Sequence, residues 1–223
     1  MVSSNLKGVL LALEVFVYSV LGIVALFGAY LALLLFRRIK AKRFASDKAA
    51  DEFLDDVRDM LDKQDYDGVA DLCDSPQYWA KAVPQLILVA LANRTKPIAK
   101  LKRLVNQEFE REVTTELEYT LAWIGTCVRS GPMLGLLGTV LGIVVTFSKL
   151  AEMGASGGDP SKLAGGIGTA LFATALGLTV AIPLTLLGAA FHVRVGRLET
   201  DVRIYMGEFF DELEASLAKG QKK

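Results

Sequence analysis

Six threonines stand in two apolar stretches of this chain: Thr139 and Thr146 in one, Thr169, Thr174, Thr179 and Thr185 in the other. A hydroxyl can both donate and accept a hydrogen bond, so a row of them could line a polar path. Hydroxyls cannot shuttle a proton near neutral pH, so ion movement along such a path needs a titrating group as well. In a helix each hydroxyl also has a plainer use, bonding back to a carbonyl of its own backbone. Thr169, Thr174 and Thr179 are five apart, about 140° of rotation each, so they cannot share one face. Only a subset can line a path, and Thr139 and Thr174, each set among small residues, are best placed.

Glu14 is the candidate titrating group. It lies in the outer third of the first apolar block, Val9 to Phe36. Ionisable residues within spans are rare and mark function by default, although a position near the interface carries much less cost. No other chemistry is visible. There is one histidine, His192, no phosphate-binding glycine loop, and no His/Cys/Asp/Glu cluster at ligand spacing. Cys73 and Cys127 are too few for a disulfide framework and read as buried thiols. The sequence therefore suggests no catalytic residue, no metal and no cofactor. Equal numbers of basic and acidic residues, 25 each, give no polyanionic partner and no case for nucleic acid.

The elements that must position these residues follow from hydropathy. The 52% hydrophobic content is gathered into three blocks, as in a membrane protein. The first is too long for a signal peptide and ends in Arg37-Arg38-Ile39-Lys40-Ala41-Lys42-Arg43, a stop-transfer pattern. The expected organisation is an all-α integral membrane protein with three transmembrane helices. Residues 1–8 form a periplasmic N-terminus, 9–36 the first span and 37–125 a cytoplasmic helical domain. Residues 126–150 form the second span, 151–162 a periplasmic loop, 163–191 the third span and 192–223 a cytoplasmic helix. The basic cluster and Arg194, Arg197 and Arg203 set that orientation by the positive-inside rule.

Within the cytoplasmic stretch, Phe44, Phe53, Leu54, Val57 and Leu61 recur at helical spacing, and Leu86 to Leu91 is core of a small domain. Leu101, Leu104, Val105, Phe109, Val113 and Leu117 mark one face of a helix that no proline interrupts from Ile98 to Gly131. That helix either runs straight into the second span or hinges near Gly125. Leu198, Val202, Tyr205, Phe209 and Leu213 continue the third span as an amphipathic tail. Pro183 lies inside the third span, where a kink is expected, and Pro132 opens the second.

Small residues recur along both inner spans. Gly131, Gly135, Gly138 and Gly142 are spaced four, three and four apart. Ala170, Thr174, Gly177, Ala181, Thr185 and Gly188 form the matching row. Such faces let helix backbones approach closely in lipid, so they need a packing partner.

The runs Gly131-Pro132-Met133-Leu134-Gly135-Leu136-Leu137-Gly138-Thr139-Val140 and Gly166-Ile167-Gly168-Thr169-Ala170-Leu171-Phe172-Ala173-Thr174-Ala175-Leu176-Gly177-Leu178 together resemble the MotA/TolQ/ExbB proton-channel family, nearest to its ExbB/TolQ branch. The resemblance implies a homo-oligomeric ring, typically a pentamer, around a single-span partner similar to ExbD or TolR. It implies that the partner carries the ion-binding aspartate and that Thr139 and Thr174, with Thr146 and Thr169 nearby, line the path. It further implies work in the periplasm or at the outer membrane, through a TonB- or TolA-like protein, from the bacterial inner membrane. The ExbB branch often has glutamate where this chain has Thr169. That departure puts the titrating group on the partner and leaves H⁺ or Na⁺ open, the latter as in a sodium-driven MotA-like stator. A non-conducting membrane scaffold is the alternative that small packing faces alone would support.

Overall fold

The computed structural model describes residues 2–152 and 160–220. The expected external loop, residues 151–162, falls mostly on 153–159, outside the described residues. Every described element is helical: α1 (Val2–Lys42), α2 (Asp47–Asp62), α3 (Tyr66–Asp74), α4 (Ala82–Ala92), α5 (Ile98–Phe109), a π turn (Glu110–Thr114), α6 (Thr115–Glu152) and α7 (Pro160–Gly220). Three of these helices, α1, α6 and α7, carry stretches long and apolar enough to cross a membrane. The chain divides into two compact units, one of residues up to Leu33 with Leu121–Ala190, the other of Leu34–Thr120 with residues from Phe191 on.

In the first unit, parts of α1, α6 and α7 pack together and turn large apolar side chains outward. Val15, Leu26, Leu136, Leu171 and Leu186 are each more than half exposed. Outward leucines are unremarkable in a solvent as apolar as leucine itself. Pro132 and Pro183 both lie within continuous helices, α6 and α7.

The second unit is built like a soluble helical domain. Ser46 caps α2, its hydroxyl accepting from the Ala49 N–H at 3.2 Å, and Asp65 caps α3 by accepting from the Gly68 N–H at 3.0 Å. The stripe Ala50, Phe53, Val57 and Leu61 is buried, with Leu54 half-buried beside it. Phe44 lies in the turn before α2 and not on it, where it meets the rings of Phe53, Tyr78 and Tyr205. Leu86, Ile87, Ala90 and Leu91 of α4 are buried, as are Leu198, Val202, Phe209 and Leu213 of α7.

Two sets of polar contacts pin this unit. At the end of α1, the Lys81 ammonium donates to the Arg43 carbonyl at 2.7 Å and Lys42 donates to the Gln85 side-chain carbonyl at 2.7 Å. Burial, helped by nearby Lys40, holds the Lys81 amine below its ordinary pKa. Near the end of α7, the Ser216 hydroxyl is buried and donates to the Leu61 carbonyl at 2.7 Å. Its proton being used there, it accepts from the Tyr66 hydroxyl at 3.1 Å.

The π turn is a feature that apolar spacing alone hid. Leu101, Val105, Phe109, Val113 and Leu117 are all buried and each four residues apart. In an unbroken α-helix a step of four overshoots a full turn by about 40°, so four steps would drift about 160°. The wide turn at Glu110–Thr114 takes up one extra residue and returns about 100° of that drift. The Glu110 carbonyl accepts from the Thr115 N–H and also from the Thr115 hydroxyl, at 2.7 Å. The irregularity falls here and not near Gly125, where α6 is continuous.

Candidate functional site in the apolar helices

The two rows of small residues pack on each other within one chain. A Cβ placed on Gly131 would lie 3.0 Å from the Gly177 carbonyl oxygen, and one on Gly177 would lie 2.5 Å from that of Gly131. On Gly135 it would meet the Ala173 oxygen and the Thr174 Cα, both at 2.9 Å. On Gly138 it would meet the Ala173 Cβ at 2.8 Å, and on Gly142 the Ala170 Cβ at 2.7 Å. At the other end a Cβ on Gly166 would lie 2.5 Å from the Thr146 hydroxyl. As numbers rise along α6 they fall along α7, so the two helices form an antiparallel pair in backbone contact. Each of these faces therefore has a packing partner within the same chain.

Ala173 belongs to this seam and was absent from the row of small residues read from the sequence. Residues 170, 173, 177 and 181, at spacings of three, four and four, are the buried set. Thr174 and Thr185 lie on its flank, half-buried and exposed respectively. Gly28 of α1 and Gly166 of α7 are contact glycines outside those rows. A Cβ on Gly28 would stand 2.6 Å from a Leu184 methyl and 3.5 Å from the Cβ of Cys127. Gly28 shares a row of small residues with Ala25 and Ala32, at spacings of three and four, which is the sequence signal for it.

The threonines divide by what their hydroxyls do. Thr146, Thr169, Thr179 and Thr185 donate to the carbonyl four residues back, at 2.8 to 3.0 Å. Thr139 is buried and donates to the Leu136 carbonyl, three residues back, at 2.7 Å. Thr174 is half-buried, and its hydroxyl makes no hydrogen bond among the described residues. Both its donor and its acceptor capacity are therefore unused, in a segment where every other threonine has spent its proton on the backbone. Thr169 is exposed and points off the seam. Thr139 and Thr174 contribute to one packed pair of helices, with Thr146 at its far end.

Glu14 is half-buried on α1, three residues before Val17, whose side chain would lie 3.5 Å from a Cβ on Gly138. His192 is exposed, and Cys73 and Cys127 are buried free thiols.

Residues 79–204 match the family model described as the MotA/TolQ/ExbB proton channel family. The chain is 31% identical over 151 residues to the Tol-Pal system protein TolQ of Haemophilus influenzae, covering 65% of each protein. It is 40% identical over 101 residues to the biopolymer transport protein ExbB of Aquifex aeolicus, covering 44% of this chain and 67% of that one. A shorter match, 56% identical over 55 residues, is to the biopolymer transport protein ExbB of Helicobacter pylori, covering 24% of this chain and 36% of the relative. The chain thus spans about two thirds or less of the length of these relatives.

Proposed function

Because this chain belongs to the MotA/TolQ/ExbB proton channel family, we propose that it is an ExbB/TolQ-like subunit of an ion-driven motor in the bacterial inner membrane. In this reading copies of the chain form a ring, a pentamer, around a single-span ExbD/TolR-like partner whose aspartate carries the ion. The N-terminus and the loop after α6 face the periplasm, and the second unit faces the cytoplasm. A TonB- or TolA-like protein receives the work.

The observation that carries a path-lining role is the unspent hydroxyl of Thr174. A group that must hand a proton or a hydrated ion along needs free donor and acceptor capacity. Thr139 keeps acceptor capacity only, since its proton goes to Leu136. The titrating step belongs to a carboxylate, which this chain lacks at Thr169 and holds only near the outer end, at Glu14. One charge crossing 100 mV yields about 2.3 kcal/mol, which sets the work available per ion.

The test is Thr174→Val, close in shape and without the hydroxyl. Energy transduction should be lost while the assembly persists. Proton flux into liposomes holding this chain with its partner should fall to the level of empty liposomes. Full flux in that variant would overturn the path-lining role. The non-conducting scaffold reading is favoured by the cis packing of the glycine rows, which explains them without a path. An intact wild-type complex that passes no ions would establish it.

A further inference from the structure

In the second unit a groove of about 280 Å³ opens between α5 and α7. Its floor is apolar, with Val105, Phe109, Met206 and Phe210, and its rim carries Lys102, Asn106 and Arg203. The Lys102 ammonium stands 5.6 Å over the Phe210 ring and 3.7 Å from the Asp211 carboxylate. Arg203 is exposed and makes no ion pair among the described residues. A cationic rim calls for an acidic occupant.

The same unit carries such an element. Residues 47–74 hold eleven acidic and three basic side chains, whereas 94–103 hold five basic and no acidic ones. Asp51, Asp55 and Asp59 are exposed on α2, away from its buried stripe. Asp59 sits in the last turn of α2, and Lys100, Lys102 and Arg103 in the first turns of α5, each opposed to its own helix dipole. Asp55 lies 3.8 Å from Arg58 on its own helix, whereas Asp51 and Asp59 make no ion pair among the described residues.

Level and direction are the second argument. Arg43 joins Asp201 to Asp47, Arg58 meets Glu212, and Lys219 meets Asp62, so α2 runs beside α7 from Asp201 to Lys219. The groove runs beside α7 from Val202 to Phe210, at the same level. Phe209 and Glu212 adjoin α2, while Arg203, Met206 and Phe210 face the groove, roughly 120° away at 100° per residue. Copies related by rotation about an axis parallel to α7 are not shifted along it. A ring contact must therefore join surfaces at one level on different flanks.

We propose that this groove receives α2 of a neighbouring copy of the same chain, with Asp51 and Asp55 set against Arg203 and Lys102. The proposal rests on the ring reading given above and names its head-to-tail contact. The full chain carrying Asp55→Cys together with Asn106→Cys, treated with a short bismaleimide, should give a ladder up to the ring number on a denaturing gel. Either single variant should give none, since the native cysteines are buried. Arg203→Glu should weaken assembly severalfold in native mass measurements, and adding Asp51→Arg should restore it. Intact rings without a ladder, insensitive to Arg203→Glu, would overturn this contact and leave the ring standing. A monomeric wild-type chain would remove the ring and the contact together. Protection of a thiol at position 106 only in vesicles containing anionic lipid would assign the groove to a membrane surface and overturn the proposal.

Discussion

Gly135 on α6 and Thr174 on α7 are in backbone contact: a Cβ on the glycine would stand 2.9 Å from the threonine Cα. The position of the unspent Thr174 hydroxyl is thereby fixed by the absence of a side chain opposite. Gly135→Val must push the helices apart, because the atoms it meets are backbone. Overpacking of this kind costs about 1–3 kcal/mol. Detergent-solubilised Gly135→Val should unfold at lower temperature or denaturant than the parent. Gly168→Ala, which meets nothing within 4 Å, should not. Equal stability of the two variants would show that the seam does not bear on folding.

Ser216 ties the end of α7 to α2 and α3 through the Leu61 carbonyl and the Tyr66 hydroxyl. Ser216→Ala removes both bonds while the Leu61 carbonyl keeps the Gln64 N–H at 3.0 Å, so the loss is about 0.5–1.5 kcal/mol for each bond. Tyr66→Phe removes only the half-exposed bond and should cost less. Amide hydrogen exchange in the last turns of α7 should accelerate most in Ser216→Ala. The reverse order would sink this account.

Deleting Arg111, an exposed residue of the π turn, should let that turn close to an ordinary α turn. The helix upstream would then rotate by about 100° against the helix downstream. Leu101 and Val105 would leave the core, and the second unit should lose cooperative unfolding. Arg111→Ala keeps the count and should be near neutral. A deletion as stable as that substitution would mean that the register is held elsewhere.

Burial pushes the Cys73 thiol from 9.0 up to about 12. The neutral form is favoured in the folded state, so this group's contribution is full below pH 9. It is lost as the pH rises from 9 towards 12, because the unfolded thiol ionises first. At pH 8 a maleimide should leave Cys73 unmodified in the folded chain and label it on unfolding. Labelling of the native chain at pH 8 would contradict the burial.

The sequence by itself determined the class. Three long apolar blocks, a basic stop after the first and small residues at helical spacing are local signals, readable one helix at a time. They set Thr139 and Thr174 among small residues. What only the tertiary structure decided is which helix each face meets. Periodicity reports that Gly131, Gly135, Gly138 and Gly142 share a side, but not that α7 of the same chain fills it. Likewise no count of threonines reveals that Thr174 alone among the span threonines keeps its hydroxyl free, since each alternative partner lies on its own helix and the choice is a rotamer set by neighbours. Ala173 escaped for the same reason. A contact is a property of two surfaces, and each stretch of sequence describes one.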